Sequence, residues 1–398
     1  MDLLLHSASH LSTARYIHRR HLHLTSLTPR RKGFFPVRSS LPFQTHEAKY
    51  HRELEAAIKV VERACRLCVD VKRSLFSSEG RIVEKNDQTP VTIADFGVQA
   101  LVSLELGKVF PSIPLVAEED SSFVRSNNLV DSVRGEESYC FWNKPSHILV
   151  SSCSLQCSGV LDPIDGTKGF VKGNEALYVV GLALVVEGEI VLGVMGCPNW
   201  TEDNSYKSTT KIENMLSGPG TLMVAHVGCG TWTKELPDML GRSTKVLDGW
   251  TRCIVDGHNL VPEARFCISD SQTWESLPLS DLFDATSEAD SVGDKEILLL
   301  PTCCGSLCKY LMVASGRASV FILRSTTQRT IKAWDHAVGI ICVHEAGGKV
   351  TDWKGNQLDF AADQVERRII FPSGGVLVTN GKLHNQIVEM IASSSAVG

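Results

Sequence analysis

The chain has 398 residues, 43% of them hydrophobic, with 40 basic and 45 acidic side chains and a formal net charge of −5 at pH 7. That apolar share can bury a substantial core, which excludes a wholly disordered chain. The longest apolar run, 176–186, is well short of the ~20 residues that a membrane-spanning helix needs. We therefore expect a globular protein without an integral membrane segment.

The first 46 residues differ in composition from the rest. They hold seven Lys or Arg, six His and a single acid, Asp2. Basic, acid-poor sequence without a long apolar stretch is typical of an organelle transit peptide and not of a secretory signal. Arginines interleaved with Leu and Ile favour a mitochondrial address. A plastid address and an untargeted N-terminal tail are the alternatives.

The rest of the chain carries 33 basic and 44 acidic residues. A protein that binds nucleic acid needs a basic surface to neutralise phosphates, so this balance predicts that nucleic acid is not a partner. A small anionic substrate would need metal ions to offset the repulsion. The 13 cysteines are odd in number and follow no secretory signal, so we expect mostly buried thiols and no disulfide framework.

Periodicity predicts two helices and an antiparallel sheet in the first half of the chain. Apolar residues recur at every third or fourth position over 47–75, which indicates an amphipathic helix. Thr92 and Asp95 have the spacing of a capping box that opens a second helix. Short strands are predicted at 115–117 and 160–162, followed by a β-hairpin over 177–194, and a solvent-facing excursion is predicted over 121–153.

The second half is less periodic up to residue 300. Strands are predicted at 222–225, 251–255, 318–323 and 376–379, and helices at 306–315, at 334–346 and at the C-terminus. This mixture is typical of an α+β or α/β fold. After the predicted transit peptide over 1–46 we expect two layered units of this kind, the second beginning within 198–300.

Two carboxylates three residues apart follow a predicted strand, in the segment Asp162-Pro-Ile-Asp165-Gly-Thr. Proline stiffens this backbone and glycine lets it turn tightly, so both acids can point at one spot. Carboxylate oxygens are the ligands that Mg²⁺ prefers. The spacing therefore suits a metal site, but Asp-x-x-Asp-Gly is also a common turn, and an Asp162 that only shapes the turn is the alternative.

Three further segments accompany this one in a fixed order: 85–92 (KNDQTPVT), 116–120 (VAEED) and 334–337 (WDHA), the last running into 345–352 (EAGGKVTD). Together the four resemble the magnesium-dependent, lithium-sensitive phosphatase superfamily that includes inositol monophosphatase, inositol polyphosphate 1-phosphatase, fructose 1,6-bisphosphatase and 3'(2'),5'-bisphosphate nucleotidase. The resemblance covers about residues 50 to 392. It implies a layered αβαβα sandwich of the inositol monophosphatase and fructose 1,6-bisphosphatase type. It also implies an N-terminal α+β metal-binding domain over 47–200 and a C-terminal α/β domain over 201–398 that completes the active-site cleft.

Within this superfamily, 165–170 (DGTKGF), 196–199 (GCPN) and Ser306-x-x-Lys309-Tyr are similar to the nucleotidase branch. This implies hydrolysis of the 3'-phosphate of adenosine 3',5'-bisphosphate to AMP, with 3'-phosphoadenylyl sulfate as a further substrate and Li⁺ as an inhibitor. The expected partner is a small phosphorylated nucleotide, with no nucleic acid and no membrane. The sequence leaves the oligomeric state open.

The same resemblance implies roles for individual residues. Mg²⁺ would be held by four carboxylates and one main-chain carbonyl, namely Glu118, Asp162, Asp165, Asp335 and Ile164. Asp87 and Thr167 would orient and deprotonate the attacking water, and the amides of Gly166 and Thr167 would hold phosphate oxygens. The expected substrate contacts are Gly166, Thr167, Ser306, Lys309, Arg324 and Asp335.

Alternatives and departures accompany these assignments. Asp87 alone could be a turn acid, and Asp335 alone could be a first-turn acid favoured by the helix dipole. Three departures from the branch lie on the substrate side: Gly159 stands where a Trp is usual, 288–291 replaces a His-Ser-Ser segment, and Gly305 replaces an acid. Altered base recognition is therefore expected. An inositol phosphate phosphatase and a nucleotide-binding protein without turnover are the alternative functions.

Overall fold

The computed structural model describes residues 41–44, 48–77, 82–84, 90–120, 157–172, 176–200, 220–236, 249–269, 272–288, 293, 296–303, 305–325, 330–363 and 365–395. Ser39–Gly398 form one compact unit. Within the described residues, every helix is too short or too polar to cross a bilayer. The predicted excursion at 121–153 lies outside these residues, as does the predicted transit peptide except for 41–44.

The first part of the unit is built around a seven-stranded sheet with the order β3-β4-β5-β6-β7-β8-β9. Strand β3 is parallel to β4, and the other neighbours are antiparallel. The strands are β3 (Leu115–Ala117), β4 (Cys157–Asp165), β5 (Val179–Val186), β6 (Glu189–Cys197), β7 (Thr221–His226), β8 (Gly230–Glu235) and β9 (Thr251–Cys253). A separate antiparallel pair is formed by β1 (Ile82–Glu84) and β2 (Pro90–Thr92).

Helices cover both faces of this sheet. On one face lie α1 (His51–Ser77) and α2 (Ile93–Val109), and on the other lies α5 (Ala337–Glu345). Two glycines of β6 mark the close approach of these layers. A Cβ on Gly196 would lie 2.3 Å from the Cys65 sulfur of α1, and a Cβ on Gly193 would lie 2.8 Å from Ile341 of α5. The predicted helix over 47–75 and the Thr92 capping box are confirmed.

A second, six-stranded sheet has the order β11-β12-β10-β13-β17-β15. Its first four strands are parallel, and β17 is antiparallel to both of its neighbours. The strands are β10 (Arg265–Ile268), β11 (Asp284–Thr286), β12 (Glu296–Pro301), β13 (Val320–Arg324), β15 (Lys349–Asp352) and β17 (Gly375–Thr379); β14 (Ile331–Lys332) pairs with β16 (Ile369–Ile370) outside it. The remaining helices are α3 (Thr167–Val171), α4 (Leu307–Ala314) and α6 (His384–Ser395).

Three hydrophobic clusters join these elements into five layers. One lies between α1, α2 and the first sheet, a second surrounds α4 and α5 between the two sheets, and a third lies between the second sheet and α6. This order confirms the predicted αβαβα sandwich. In the part of the chain that the structure describes, nine cysteines are buried free thiols, in line with the expectation of mostly buried thiols. Cys303 is disulfide-bonded.

The first sheet continues across the boundary predicted between residues 200 and 201. Strand β6 pairs with β7, and hairpin pairing then adds β8 and β9, so the sheet ends only at Cys253. The division into domains at 47–200 and 201–398 stays a prediction. The α5 helix begins at Ala337, three residues later than predicted, because residues 333–336 form a turn that carries Asp335.

Candidate active site

Asp162 and Asp165 both belong to β4, whose nine residues are all buried. On a regular strand, residues three apart point to opposite faces. Here the pairing of β4 with β5 shifts register between Asp162 and Asp165, and such a bulge re-aims side chains. Gly166 follows with φ of 88°, a left-handed conformation that turns the chain into α3. The bulge and the glycine bring both carboxylates to one side of the strand end.

Asp335 joins these two acids from the turn before α5. Asp162, Asp165 and Asp335 each offer a carboxylate oxygen, and the three oxygens lie within 4.8 Å of one another. Asp162 is 1% exposed, and its Oδ1 accepts no hydrogen bond from any described residue. A buried carboxylate oxygen without a partner, beside two further acids, is unfavourable unless a cation is bound. The three residues therefore fit a divalent metal that takes oxygen ligands.

The electrostatics of the cluster agree with this fit. Burial raises the pKa of Asp162 well above its ordinary value, and the negative charges of Glu118, Asp165, Asp335 and Asp95 raise it further. Burial also raises the pKa of Asp165 to about 6, although neighbouring N–H groups and the Lys309 ammonium oppose the rise. A divalent cation would stabilise the ionised form of each acid.

Glu118 lies at the same edge, one residue beyond β3. Strand β3 runs parallel to β4, with Ala117 opposite Leu161, so the two strands end side by side. Glu118 is not among the three acids within 4.8 Å. Its charge is nevertheless the largest electrostatic contribution to the raised pKa of Asp162, so its carboxylate lies near the cluster.

Thr167 begins α3, and its hydroxyl faces Asp95, which the Thr92–Asp95 spacing predicted only as part of a helix cap. The Thr167 hydroxyl is 3.1 Å from Asp95 Oδ1 and 3.0 Å from the Ile164 carbonyl oxygen. Asp95 is fully buried, and its Oδ2 accepts the Thr92 N–H at 2.8 Å and the Thr92 hydroxyl at 2.6 Å. Asp95 therefore caps α2 with one oxygen and meets Thr167 with the other. Asp87, the predicted partner of Thr167, lies outside the described residues.

Both oxygens of Asp165 are held by main-chain N–H groups at the start of α4. The Ser306 N–H donates to Oδ1 at 2.9 Å, and the Leu307 N–H donates to Oδ2 at 2.7 Å. Gly305 adopts φ of 71°, and a Cβ there would lie 2.2 Å from Asp165 Oδ2. The glycine at this position, which departs from the nucleotidase branch, is therefore required for the close approach of α4 to the carboxylate.

The predicted substrate contacts do not all meet at this site. Lys309 is 1% exposed; its ammonium donates to the Gly305 carbonyl, and its charge opposes the rise in the pKa of Asp165. Ser306 also lies against Asp165, through its N–H. Exposed Arg324, at the end of β13, instead donates to the Ser276 carbonyl at 3.3 Å. The segment 288–291 lies outside the described residues except for Glu288. These substrate roles stay predictions.

Comparisons with known proteins agree with this fold. Residues 52–396 match the sequence profile of the inositol monophosphatase family. An Arabidopsis thaliana protein provisionally named mitochondrial 3'(2'),5'-bisphosphate nucleotidase is 63% identical over 394 residues, which cover 92% of this chain and 94% of the relative. A 3'(2'),5'-bisphosphate nucleotidase of Oryza sativa is 34% identical over 366 residues, with coverages of 86% and 94%. Among solved structures, the Thermotoga maritima IMPase has a TM-score of 0.54 at 19% identity, covering 87% of this chain and 98% of its own.

The family match and the names of the relatives indicate a phosphatase of a metal-dependent family, and the cluster of Asp162, Asp165 and Asp335 fits that dependence. The chain belongs to the inositol monophosphatase family. It is accordingly a phosphoric monoester hydrolase, which confirms the resemblance drawn from the four sequence segments.

Proposed function

We propose that the chain is a Mg²⁺-dependent 3'(2'),5'-bisphosphate nucleotidase that hydrolyses the 3'-phosphate of adenosine 3',5'-bisphosphate to AMP and phosphate. The observation that carries the proposal is the meeting of Asp162, Asp165 and Asp335 within 4.8 Å beside the Thr167 hydroxyl and its partner Asp95. The names of the Arabidopsis and rice relatives support the substrate class. The compound 3'-phosphoadenylyl sulfate is proposed as a second substrate, and Li⁺ as an inhibitor.

In this proposal Mg²⁺ is held by the carboxylates of Glu118, Asp162, Asp165 and Asp335 and by the Ile164 carbonyl. When bound, Mg²⁺ would lower the pKa of a water and neutralise charge on the phosphoryl oxygens. The N–H groups of Gly166 and Thr167 are proposed to hold phosphate oxygens at the turn into α3. The excess of acidic over basic residues in the chain is then compatible with an anionic substrate.

Thr167 and Asp95 can move the proton of the attacking water. A hydroxyl has one hydrogen to donate, and the Asp95 carboxylate is a stronger acceptor than the Ile164 carbonyl. Donation to Asp95 Oδ1 leaves the Thr167 oxygen free to accept a hydrogen bond from water, while Thr92 fixes the far side of the carboxylate. The water proton can thus pass to Thr167 while the Thr167 proton passes to Asp95. A role for Asp87 in the same step stays a prediction.

The test is phosphate release by the full-length chain from adenosine 3',5'-bisphosphate, inositol 1,4-bisphosphate, inositol 1-phosphate and fructose 1,6-bisphosphate, each with Mg²⁺ and with chelator. Asp162→Asn removes one ligand charge, and Asp281→Asn is the matched control on an exposed carboxylate. The proposal requires that adenosine 3',5'-bisphosphate is the preferred substrate. Phosphate release should be lost on chelation and in Asp162→Asn, and should be kept in Asp281→Asn. Preference for an inositol phosphate would contradict the proposal in favour of the inositol phosphatase alternative. No release from any of the four compounds would contradict it in favour of the nucleotide-binding protein without turnover.

The location of the protein is part of the proposal. The basic, acid-poor residues 1–46 and the mitochondrial name of the Arabidopsis relative support a mitochondrial address, with the plastid as the alternative. A fluorescent fusion of residues 1–60 tests this directly. Fluorescence confined to mitochondria is expected, and fluorescence in the cytosol would exclude a transit peptide.

A further inference from the structure

Glu118 occupies a position that its own sheet does not hold. Strand β3 is at the edge of the seven-stranded sheet, and its pairing with β4 runs only from Leu115 to Ala117. Glu118 is the next residue, so its main chain has left the ladder. A metal ligand has to be held to within about 0.5 Å of its working position. Contacts beyond the β3–β4 pairing therefore bear on the position of Glu118.

Two side chains supply those contacts. The Gln99 side chain of α2 forms a reciprocal pair with the main chain of Glu119: its Nε2 donates to the carbonyl at 2.7 Å and its Oε1 accepts the N–H at 2.9 Å. From the other end of the chain, Arg368 Nη2 donates to the Glu118 carbonyl at 3.1 Å. The peptide groups on both sides of Glu119 are thus held by side chains from two different layers.

Arg368 is itself fixed to the segment that carries Asp335. Its carbonyl accepts the Ala333 N–H at 2.8 Å, and its N–H donates to Asp363 Oδ2 at 2.8 Å. Its guanidinium carbon lies 4.9 Å from the centroid of the buried Trp334 ring, within the range of a cation–π contact. Trp334 immediately precedes Asp335. The Arg368 guanidinium therefore contacts the main chain of Glu118 and the side chain of Trp334, the residue before Asp335.

We propose that Arg368 is a positioning residue that fixes Glu118 relative to Asp335 across the metal site. This inference rests on the proposed function, because it requires that both acids hold Mg²⁺. The side chain acts through geometry and not as a ligand, since a guanidinium has no acceptor atom for a cation. Its guanidinium contacts the Trp334 ring and also donates through Nη2 to the Glu118 carbonyl, whereas the ammonium of a lysine is a single point charge that cannot make both contacts in the same geometry.

The test is Mg²⁺ binding by the full-length chain, measured by isothermal titration calorimetry for the wild type, Arg368→Lys and Arg368→Gln. Arg252→Lys is the matched control, because the Arg252 guanidinium carbon lies 5.3 Å from the centroid of the Trp232 ring, a similar cation–π contact on the first sheet. Loss of a group that orients metal ligands typically weakens metal binding about 10- to 100-fold. We expect Mg²⁺ affinity to fall at least about tenfold in both Arg368 variants and to change less than about twofold in the control.

Phosphate release separates positioning from general damage. At low Mg²⁺ the Arg368 variants should lose activity, and at high Mg²⁺ kcat should recover while KM for the nucleotide stays that of the wild type. Wild-type Mg²⁺ affinity in Arg368→Lys, an equal loss in Arg252→Lys, or unfolding of both Arg368 variants would each overturn the proposal. A wild type that binds Mg²⁺ but hydrolyses no substrate would contradict the proposed function alone, and the titrations would still decide the role of Arg368.

Discussion

The Thr167 hydroxyl lies 3.1 Å from Asp95 Oδ1, a contact that joins the turn after β4 to the first turn of α2. The opposite oxygen of Asp95 accepts two hydrogen bonds from Thr92. The carboxylate is therefore oriented by the helix cap and presents a single oxygen to Thr167. A residue that stabilises the start of a helix thus also faces the site.

Asp95→Asn should separate these two roles. The amide oxygen can still accept from Thr92 and keep the cap, but the amide nitrogen then faces Thr167 and donates where the carboxylate accepted. Thr167 can no longer pass on a proton, so we expect kcat to fall about 10²- to 10⁴-fold with KM little changed. Steady-state kinetics measure both, and thermal unfolding checks that the cap is retained.

Asp87→Asn is the comparison for this experiment. If Asp87 takes the proton, as the sequence resemblance implies, Asp87→Asn should show the loss of activity expected above for Asp95→Asn, and Asp95→Asn should keep its activity. Full activity in Asp95→Asn would rule out the relay through Thr167 that the hydrogen bond suggests.

Gly305→Ala should disturb the site through Asp165. Alanine is strained at φ of 71°, and its Cβ would lie 2.2 Å from the carboxylate that the start of α4 holds. We expect a loss of stability of about 1–3 kcal/mol and weaker Mg²⁺ binding. Gly107→Ala is the matched control, since that glycine lies in α2 with nothing within 4 Å of an added Cβ. It should be neutral or stabilising by up to about 1 kcal/mol, and wild-type Mg²⁺ affinity in Gly305→Ala would refute the steric argument.

Some residues of the site can be predicted from the sequence and others cannot, for a physical reason. Asp162 and Asp165 could be predicted as a pair because they are local to one strand end, where spacing and turn residues already restrict their directions. The double role of Asp95 could not, because capping fully accounts for the Thr92-x-x-Asp95 spacing. Only burial beside Thr167 reveals the second role. The contact of Arg368 with Glu118 could not be predicted for another reason. The two residues are 250 positions apart in the chain, and no local sequence pattern indicates a contact over that separation.

His384 should make the protein less stable in acid. It is 1% exposed, and its ring nitrogens bond to the Thr351 and Thr379 hydroxyls at 3.0 Å each. Burial, with Lys349 and His344 nearby, lowers the pKa of His384 to about 4. The unfolded chain then binds a proton at higher pH than the folded chain does, so the stabilisation is present above about pH 6.5 and is lost as pH falls towards 4.

The expected size of this loss is about 2 to 3 kcal/mol. His384→Gln removes the titration, so its free energy of unfolding should vary less between pH 6.5 and 4 than that of the wild type. Urea unfolding of the wild type and of His384→Gln at a series of pH values measures this difference. Parallel curves for His384→Gln and the wild type would show that other groups cause the acid lability.

Lys72 should make the folded protein less stable at neutral pH than at alkaline pH. Its ammonium is buried beside the Tyr178 and Phe170 rings, at 4.8 and 5.4 Å from their centroids, and makes no hydrogen bond within the described part of the chain. Burial lowers the pKa of Lys72 to about 8. The folded state therefore disfavours the charged form, and this penalty is present below about pH 8 and disappears as pH rises towards 10.5.

Lys72→Met keeps the length of the side chain and removes the charge. We expect it to stabilise the fold at pH 7 by about 1–3 kcal/mol, with the gain vanishing above about pH 10. Lys59→Met changes an exposed lysine of the same helix and should have little effect at either pH. Denaturant unfolding at pH 7 and pH 10 distinguishes the two. Destabilisation of Lys72→Met at pH 7 would mean that the two aromatic rings more than offset the cost of burying the ammonium, because a cation–π contact can be worth about 2 kcal/mol when desolvated.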